Sequence, residues 1–269
     1  GMNSSIAKTP LLQVQSVKLL LHNQEARSQL AAVAAKHMSP DRLMRVTANA
    51  IRNTPKLQRA EPLSFLGALM QCAALGLEPN TVQDLVYLIP FDRKKKNPKT
   101  GRWEVSHTEV QLIVGYKGLI DLARRSGHIT SISAGVHYSD DELWDYEEGT
   151  EARLRHRPGP QQGEKLHAYA IAKFKDGGYS YAVLPWSRVM YVRDTYSQGY
   201  ATAIKHGKKD NPWIKEEDAM AMKTAVRALA KYLPMSVEMV DALSIDNDDG
   251  ARVDYAAFAL NPEEGPVLE

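Results

Sequence analysis

Two strand-like runs, Leu166–Lys175 and Tyr179–Val183, flank Asp176-Gly-Gly178, and this arrangement constrains the fold more than any other stretch. Paired glycines after an aspartate supply the backbone freedom that a tight antiparallel hairpin needs. Upstream, Ile129–Tyr138, Glu142–Tyr146 and Ala152–Arg157 carry the same short strand character, although the imperfect alternation after Ile129 leaves register open. Earlier still, Leu85–Ile89 and Glu109–Val114 form a second candidate pair around the polar stretch Asp92–Arg102, which is expected to be a mobile excursion.

Helical signals surround these strands. Leu11 to Lys36 reads as helix, without internal glycine or proline. Ser39-Pro40-Asp41 supplies a cap, an N1 proline and a first-turn acid for a helix that stops before Pro55. A third helix runs from Pro62 to Leu75 and closes at Gly76, a fourth from Tyr116 to Ser126 and a fifth from Pro185 to Tyr196. Ser197 to Asn211 is polar, and a long helix is expected from Trp213 to Leu233. The pattern predicts an α+β fold: an antiparallel sheet, flanking N-terminal helices and a long helix on the C-terminal side. Residues 1–36 form a helical segment, 37–240 the main domain, and 241–269 an acidic flexible tail with a brief helix near Tyr255 to Leu260.

Charge is distributed unevenly within a net of +2. Residues 241–269 hold eight acids and one base, leaving 33 bases against 24 acids in the preceding 240 residues. A basic body suits a polyanion partner. Lys223, Arg227 and Lys231, spaced by four, line one helix face, and either DNA phosphates or solvent would offset such a row. Lys117, Arg124 and Arg125 form a second group, with Asp121 as an alternative internal partner for Arg124. Arg188, Arg193, Lys205, Lys208 and Lys209 add cations around the polar stretch. Gln111, Tyr116, Tyr196 and Trp213 are candidates for base contact or stacking, although most tryptophans belong to a core or an interface.

Enzyme signatures are weak. The chain has no Gly-rich loop followed by Lys-Ser/Thr, which removes the ordinary P-loop route to ATP, and its eight histidines include no His-Glu-x-x-His. A Mg2+-dependent nuclease built on Asp140, Asp141, Glu142 and Asp145 is the serious enzymatic alternative; a solvated acidic edge is the plainer one. Cys72 reads as a small core residue. No apolar run reaches the roughly 20 residues that span a bilayer, so the expected address is cytoplasmic.

Four stretches are specific: Gln71-Cys-Ala-Ala-Leu-Gly-Leu-Glu-Pro79, Tyr87-Leu-Ile-Pro-Phe91, the segment from Gln111 through Gly115-Tyr-Lys-Gly118 to Gly127, and Lys223 to Pro234. In this order they resemble the RecT family of phage and prophage single-strand DNA annealing proteins, over roughly residues 37–240. The resemblance implies a Rad52-like β-β-β-α core using Glu109–Val114, the middle strands and the long helix, and a domain at 37–240 that anneals complementary strands without ATP in homologous recombination. It further implies that Lys117, Arg124, Arg125, Lys223, Arg227 and Lys231 face DNA, and that the chain assembles into homo-oligomers or helical filaments; residues 1–36 are assigned to subunit contacts and not to DNA because 11–36 are apolar and poor in cations. Mg2+ would modulate annealing or assembly without being a required cofactor. The implied partners are single-stranded and annealed duplex DNA, an exonuclease and the single-strand-binding protein of a bacterial host.

Overall fold

The computed structural model describes residues 7–36, 38–245, 253–264 and 267–268. In chain order these form helices α1 (Val17–Leu20), α2 (Gln24–Val33), α3 (Pro40–Asn53) and α4 (Pro62–Leu75), then strands β1 (Val86–Lys96) and β2 (Trp103–Val114). Helix α5 (Tyr116–Arg124) leads to β3 (Ile129–Tyr138), β4 (Leu143–Glu147), β5 (Arg153–Arg157), β6 (Lys165–Phe174) and β7 (Tyr179–Pro185). Helices α6 (Trp186–Tyr196), α7 (Gln198–Lys205), α8 (Pro212–Lys215), α9 (Glu217–Ala230) and α10 (Val237–Ile245) follow. Strand β8 (Val253–Asp254), helix α11 (Tyr255–Leu260) and strand β9 (Val267–Leu268) complete the described chain. Leu119–Ser236 make one compact unit, and the chain up to Gly118 joins the helices from Val237 onward in another.

In the first unit α4 is buried on nearly every side, from Ser64 to Leu75, so it is a central helix. Helices α1, α2, α3, α10 and α11 and strand β2 pack against it. The Leu11–Lys36 helix of the sequence reading is interrupted twice: the Ser16 hydroxyl accepts from Leu19 N–H and the Asn23 carbonyl from Ala26 N–H, each capping a new start. The apolar face of this segment, with Val17, Leu20, Ala26 and Leu30, is buried within the chain itself. The segment expected as a tail contributes α10 and α11, with Tyr255, Phe258 and Ala259 buried; residues 246–252 lie outside the described ones.

Strands β1 and β2 pair as predicted, but the ladder runs out to Lys96↔Trp103, so the first five residues of the presumed mobile loop are strand and 97–102 make the turn. Opposite charges Lys95 and Glu104 face each other there. The Gly115-Tyr-Lys-Gly118 motif has a packing cause: a Cβ on Gly118 would lie 2.2 Å from the Leu85 carbonyl oxygen.

The second unit is built on an antiparallel sheet of order β3-β6-β7, with α9 packed on it. Glu109–Val114 is not part of this sheet, contrary to expectation: β2 pairs with β1 in a separate two-stranded sheet. Ala168, Ala170 and Ala172 of β6 are completely buried, and small side chains there let α9 approach through Ala221 and Ala225. The alternate β6 residues, His167 and Tyr169, meet rings of the β4–β5 hairpin. The expected helix from Trp213 is split: Asn211 caps α8, and Glu216, at φ −132° and ψ 50°, separates it from α9. Conversely, the polar stretch contains α7, whose first turn is capped by the Ser197 hydroxyl.

The hairpin is fastened through a histidine cluster. Tyr169 Oη donates to His156 Nδ1 at 2.7 Å, and His156 Nε2–H donates to Asp141 Oδ2 at 2.7 Å. Asp141 also accepts from the Tyr138 and Gly159 amides. Burial opposes its charge, but these donors win and hold the carboxyl at about 2. His137 stacks on Trp144 with ring centroids 4.1 Å apart and lies 2.9 Å, nitrogen to nitrogen, from His167. Burial, then the neighbouring His167, push His137 down to about 4.

A folded-state pKa below the unfolded one means the unfolded chain takes up the proton first. Stability therefore falls as pH drops from about 6.5 toward 4. The expected loss from His137 is about 2 kcal/mol, discounted for its partly solvated surroundings. Urea denaturation at pH 7 and pH 4.5 should show it, and His137→Phe, which keeps the stack, should flatten the dependence. An equal pH dependence in both proteins would contradict it.

Candidate nucleic-acid interface

Helices α6, α7 and α8 enclose a cleft of about 430 Å³ in the second unit. Arg193, Tyr200, Ile204, Lys208, Lys209, Trp213 and Glu217 line it. Arg193 lies over the Tyr200 ring, 4.3 Å from its centroid, and its side chain is 17% exposed. It contacts Asp194 at 2.9 Å and Glu217 at 3.9 Å. Lys208 and Lys209 are exposed at the rim. The cations Arg193, Lys208 and Lys209 and the aromatic Trp213, each named from the sequence, thus converge with Tyr200 in one cleft.

Beneath the cleft, Lys165 Nζ sits 2.7 Å from both Glu217 and Asp218. Burial works against its charge, but Asp218 and Glu217 outweigh it and raise the pKa further above the ordinary lysine value. Tyr138 donates to Asp218, and burial together with that carboxylate pushes the phenol up to about 12. Lys165 is thus shared between Glu217 and Asp218 and offsets the charge of one carboxylate of the two.

The other candidates separate. Lys223 is 3% exposed, so the row Lys223, Arg227, Lys231 does not face solvent as a unit. Buried Met220, Val226 and Ala230 share its side of α9; Arg227 is half-buried, and only Lys231, just beyond the helix, is exposed. Trp213, offered as a stacking platform, is 4% exposed and forms wall and core together. Arg125, not Arg124, takes Asp121 at 3.0 Å, leaving Arg124 exposed. Lys117, in the first unit, lies 3.8 Å from Asp84. Arg188 lies 4.7 Å from the Tyr191 ring centroid; Lys205 is exposed in the last turn of α7 but does not line the cleft. Tyr196 is 45% exposed, while Gln111 and Tyr116 are half-buried. The reading missed the joint role of Tyr200 and Ile204, whose spacing of four beside Ser197 was the available signal.

The acids of the nuclease alternative already have partners, Glu142 through Arg157 at 3.9 Å. Asp140 accepts from Gln162 and Gly163 amides, Asp141 from Tyr138 and Gly159, and Asp145 holds Arg153. Among the described residues, Glu61, His107 and Glu109 are the group whose ligand atoms lie within 4.8 Å of one another. Glu109 is already held by His107 at 2.9 Å and Arg93 at 3.0 Å, an arrangement that competes with a cation. Among the described residues no helix is long and apolar enough to cross a membrane.

Fold and cleft define a class: an α+β protein that presents a cationic, aromatic-walled cleft beside an antiparallel sheet. The chain belongs to the RecT family, whose sequence model, described as "RecT family", matches residues 41–257. It is 37% identical over 250 residues to "Protein RecT" of Escherichia coli strain K12, covering 93% of this chain and 87% of that protein. It is also 26% identical over 210 residues to "Uncharacterized protein YqaK" of Bacillus subtilis strain 168, covering 77% of this chain and 64% of that one. Membership places the chain among recombination proteins that anneal single-stranded DNA, an activity without covalent catalysis.

Proposed function

We propose that this protein binds single-stranded DNA and pairs it with its complement without ATP, in homologous recombination in the cytoplasm of a bacterial host. The observation that carries this reading is the cleft where Arg193, Lys208 and Lys209 meet Tyr200 and Trp213. Cations beside aromatic walls suit a strand whose sequence is not read. The phosphates are held by Lys208, Lys209 and Arg193, with Arg188, Lys205, Arg124 and Lys231 as further exposed contacts; Lys117 is a separate candidate contact on the first unit. Base edges stay free, so pairing supplies specificity while the protein supplies alignment and charge compensation.

The three-stranded sheet with α9 serves as a Rad52-like core. Copies assemble into an oligomer or helical filament that retains the annealed duplex, with the N-terminal segment at subunit contacts through what remains exposed there, Leu12 and Leu19. Residues 37–240 carry annealing, Mg2+ modulates it, and an exonuclease and a single-strand-binding protein act alongside.

Binding of a fluorescent oligonucleotide over a range of salt concentrations tests the cleft. Lys208→Ala with Lys209→Ala removes two phosphate contacts, so the slope of log affinity against log salt should become shallower by about 1.4. An unchanged slope would remove the cleft from the interface.

A further inference from the structure

A second groove lies away from this cleft, between the β4–β5 hairpin and the turn end of β6 and β7, with a volume of about 660 Å³. Its lining includes Arg153, Arg155, Lys173, Ile171, Tyr179 and Tyr181, and none of the lining residues is a carboxylate. The volume falls within the roughly 300–1,000 Å³ of clefts that take small organic groups. Arg153 is held by Asp145 and Glu147, whereas Arg155 and Lys173 stand exposed at the edge.

The tyrosines are two apart on β7 and so share a face of the sheet. Their rings are within 7° of parallel, with centroids 6.1 Å apart. Each is tethered to the hairpin: Tyr179 Oη donates to the Ala152 carbonyl and Tyr181 Oη to the Glu147 carbonyl, both at 3.1 Å. Tyr179 nevertheless remains 58% exposed, so an oriented ring face is open to solvent. A tethered pair has less freedom to lose when a flat group stacks on it.

We propose that this groove is a further single-stranded nucleic-acid site, in which unpaired bases stack on the Tyr179–Tyr181 platform and their phosphates meet Arg155 and Lys173. The inference rests on the reading that the chain binds single strands, and it adds a base-contacting site that is separate from the cleft. The groove and the cleft share no lining residue, so they are two places on the second unit. Duplex DNA is a poorer occupant, because its base faces are already covered by their neighbours, while a single strand offers open faces to aromatic rings.

Photocrosslinking of the full chain to a 5-iodouracil-substituted oligonucleotide, with the attached peptides identified by mass spectrometry, tests the site. Attachment at Tyr179 or Tyr181 is expected, falling at least about fivefold in Arg155→Glu with Lys173→Glu, because two phosphate contacts become repulsions. Both replaced residues are exposed, so folding is not at issue. Attachment confined to residues 186–217 would overturn the second site and leave the cleft standing. Attachment at the tyrosines that ignores both charge reversals would overturn the phosphate contacts and with them the site as built. Failure of the parent to retain any oligonucleotide would remove this inference together with the reading beneath it.

Discussion

Replacing Trp213 by alanine is expected to destabilise the protein by about 3–5 kcal/mol, the range for deleting a large buried aromatic side chain. The indole is 4% exposed, its amide is held by the Asn211 side chain at 2.9 Å, and its ring closes one wall of the cleft. Removal leaves a void beneath α7 and α8 and lets Tyr200 lose its opposite wall. A melting midpoint lower by on the order of 10 °C or more should follow, and strand binding should weaken with it. Trp213→Phe keeps most of the volume and should recover most of the stability. Were the ring an exposed platform, alanine would leave the midpoint within about 1–2 °C and reduce only binding.

Replacing Gly67 by alanine is the second large effect, about 3 kcal/mol of destabilisation despite adding one methyl group to a helix. Helix propensity alone would make this change favourable by up to about 1 kcal/mol, so the sign itself is diagnostic. A Cβ at residue 67 would sit 1.8 Å from the Tyr255 carbonyl oxygen and 2.5 Å from its carbon. Backbone cannot swing aside as a side-chain tip can, so α11 must move, exposing Phe258 and Tyr255, now 3% and 2% exposed. Hydrogen exchange should quicken across Tyr255–Leu260 while β3, β6 and β7 stay protected. Unchanged protection of α11 would contradict the packing.

These two positions show what a sequence conveys. Local chemistry was legible: Ser39-Pro40 starts α3, Gly76 ends α4, and Asp176-Gly-Gly178 joins β6 to β7. Spacing was a poorer guide wherever tertiary packing surrounds an element. The row of Lys223, Arg227 and Lys231 is regular, but α9 is covered on more than one side, so the same period of four buries its first member. Ser16, Asn23 and Asn211 carry caps that divide what apolar recurrence joined. The helix expected near Tyr255 to Leu260 is α11, but the surrounding acids concealed its burial through Tyr255 and Phe258. The cleft gathers residues from Arg193 to Glu217 through α7, a helix hidden in polar sequence, which is why its members were named as cations without being recognised as one site.

Annealing is the central claim, and its most direct test is the rate at which labelled complementary oligonucleotides, each coated with a single-strand-binding protein, pair in the absence of ATP. Acceleration by the parent, lost in Lys208→Ala with Lys209→Ala while that variant keeps the parent's melting midpoint and oligomeric state, is the predicted result. No acceleration by the parent across salt and Mg2+ conditions would contradict the account.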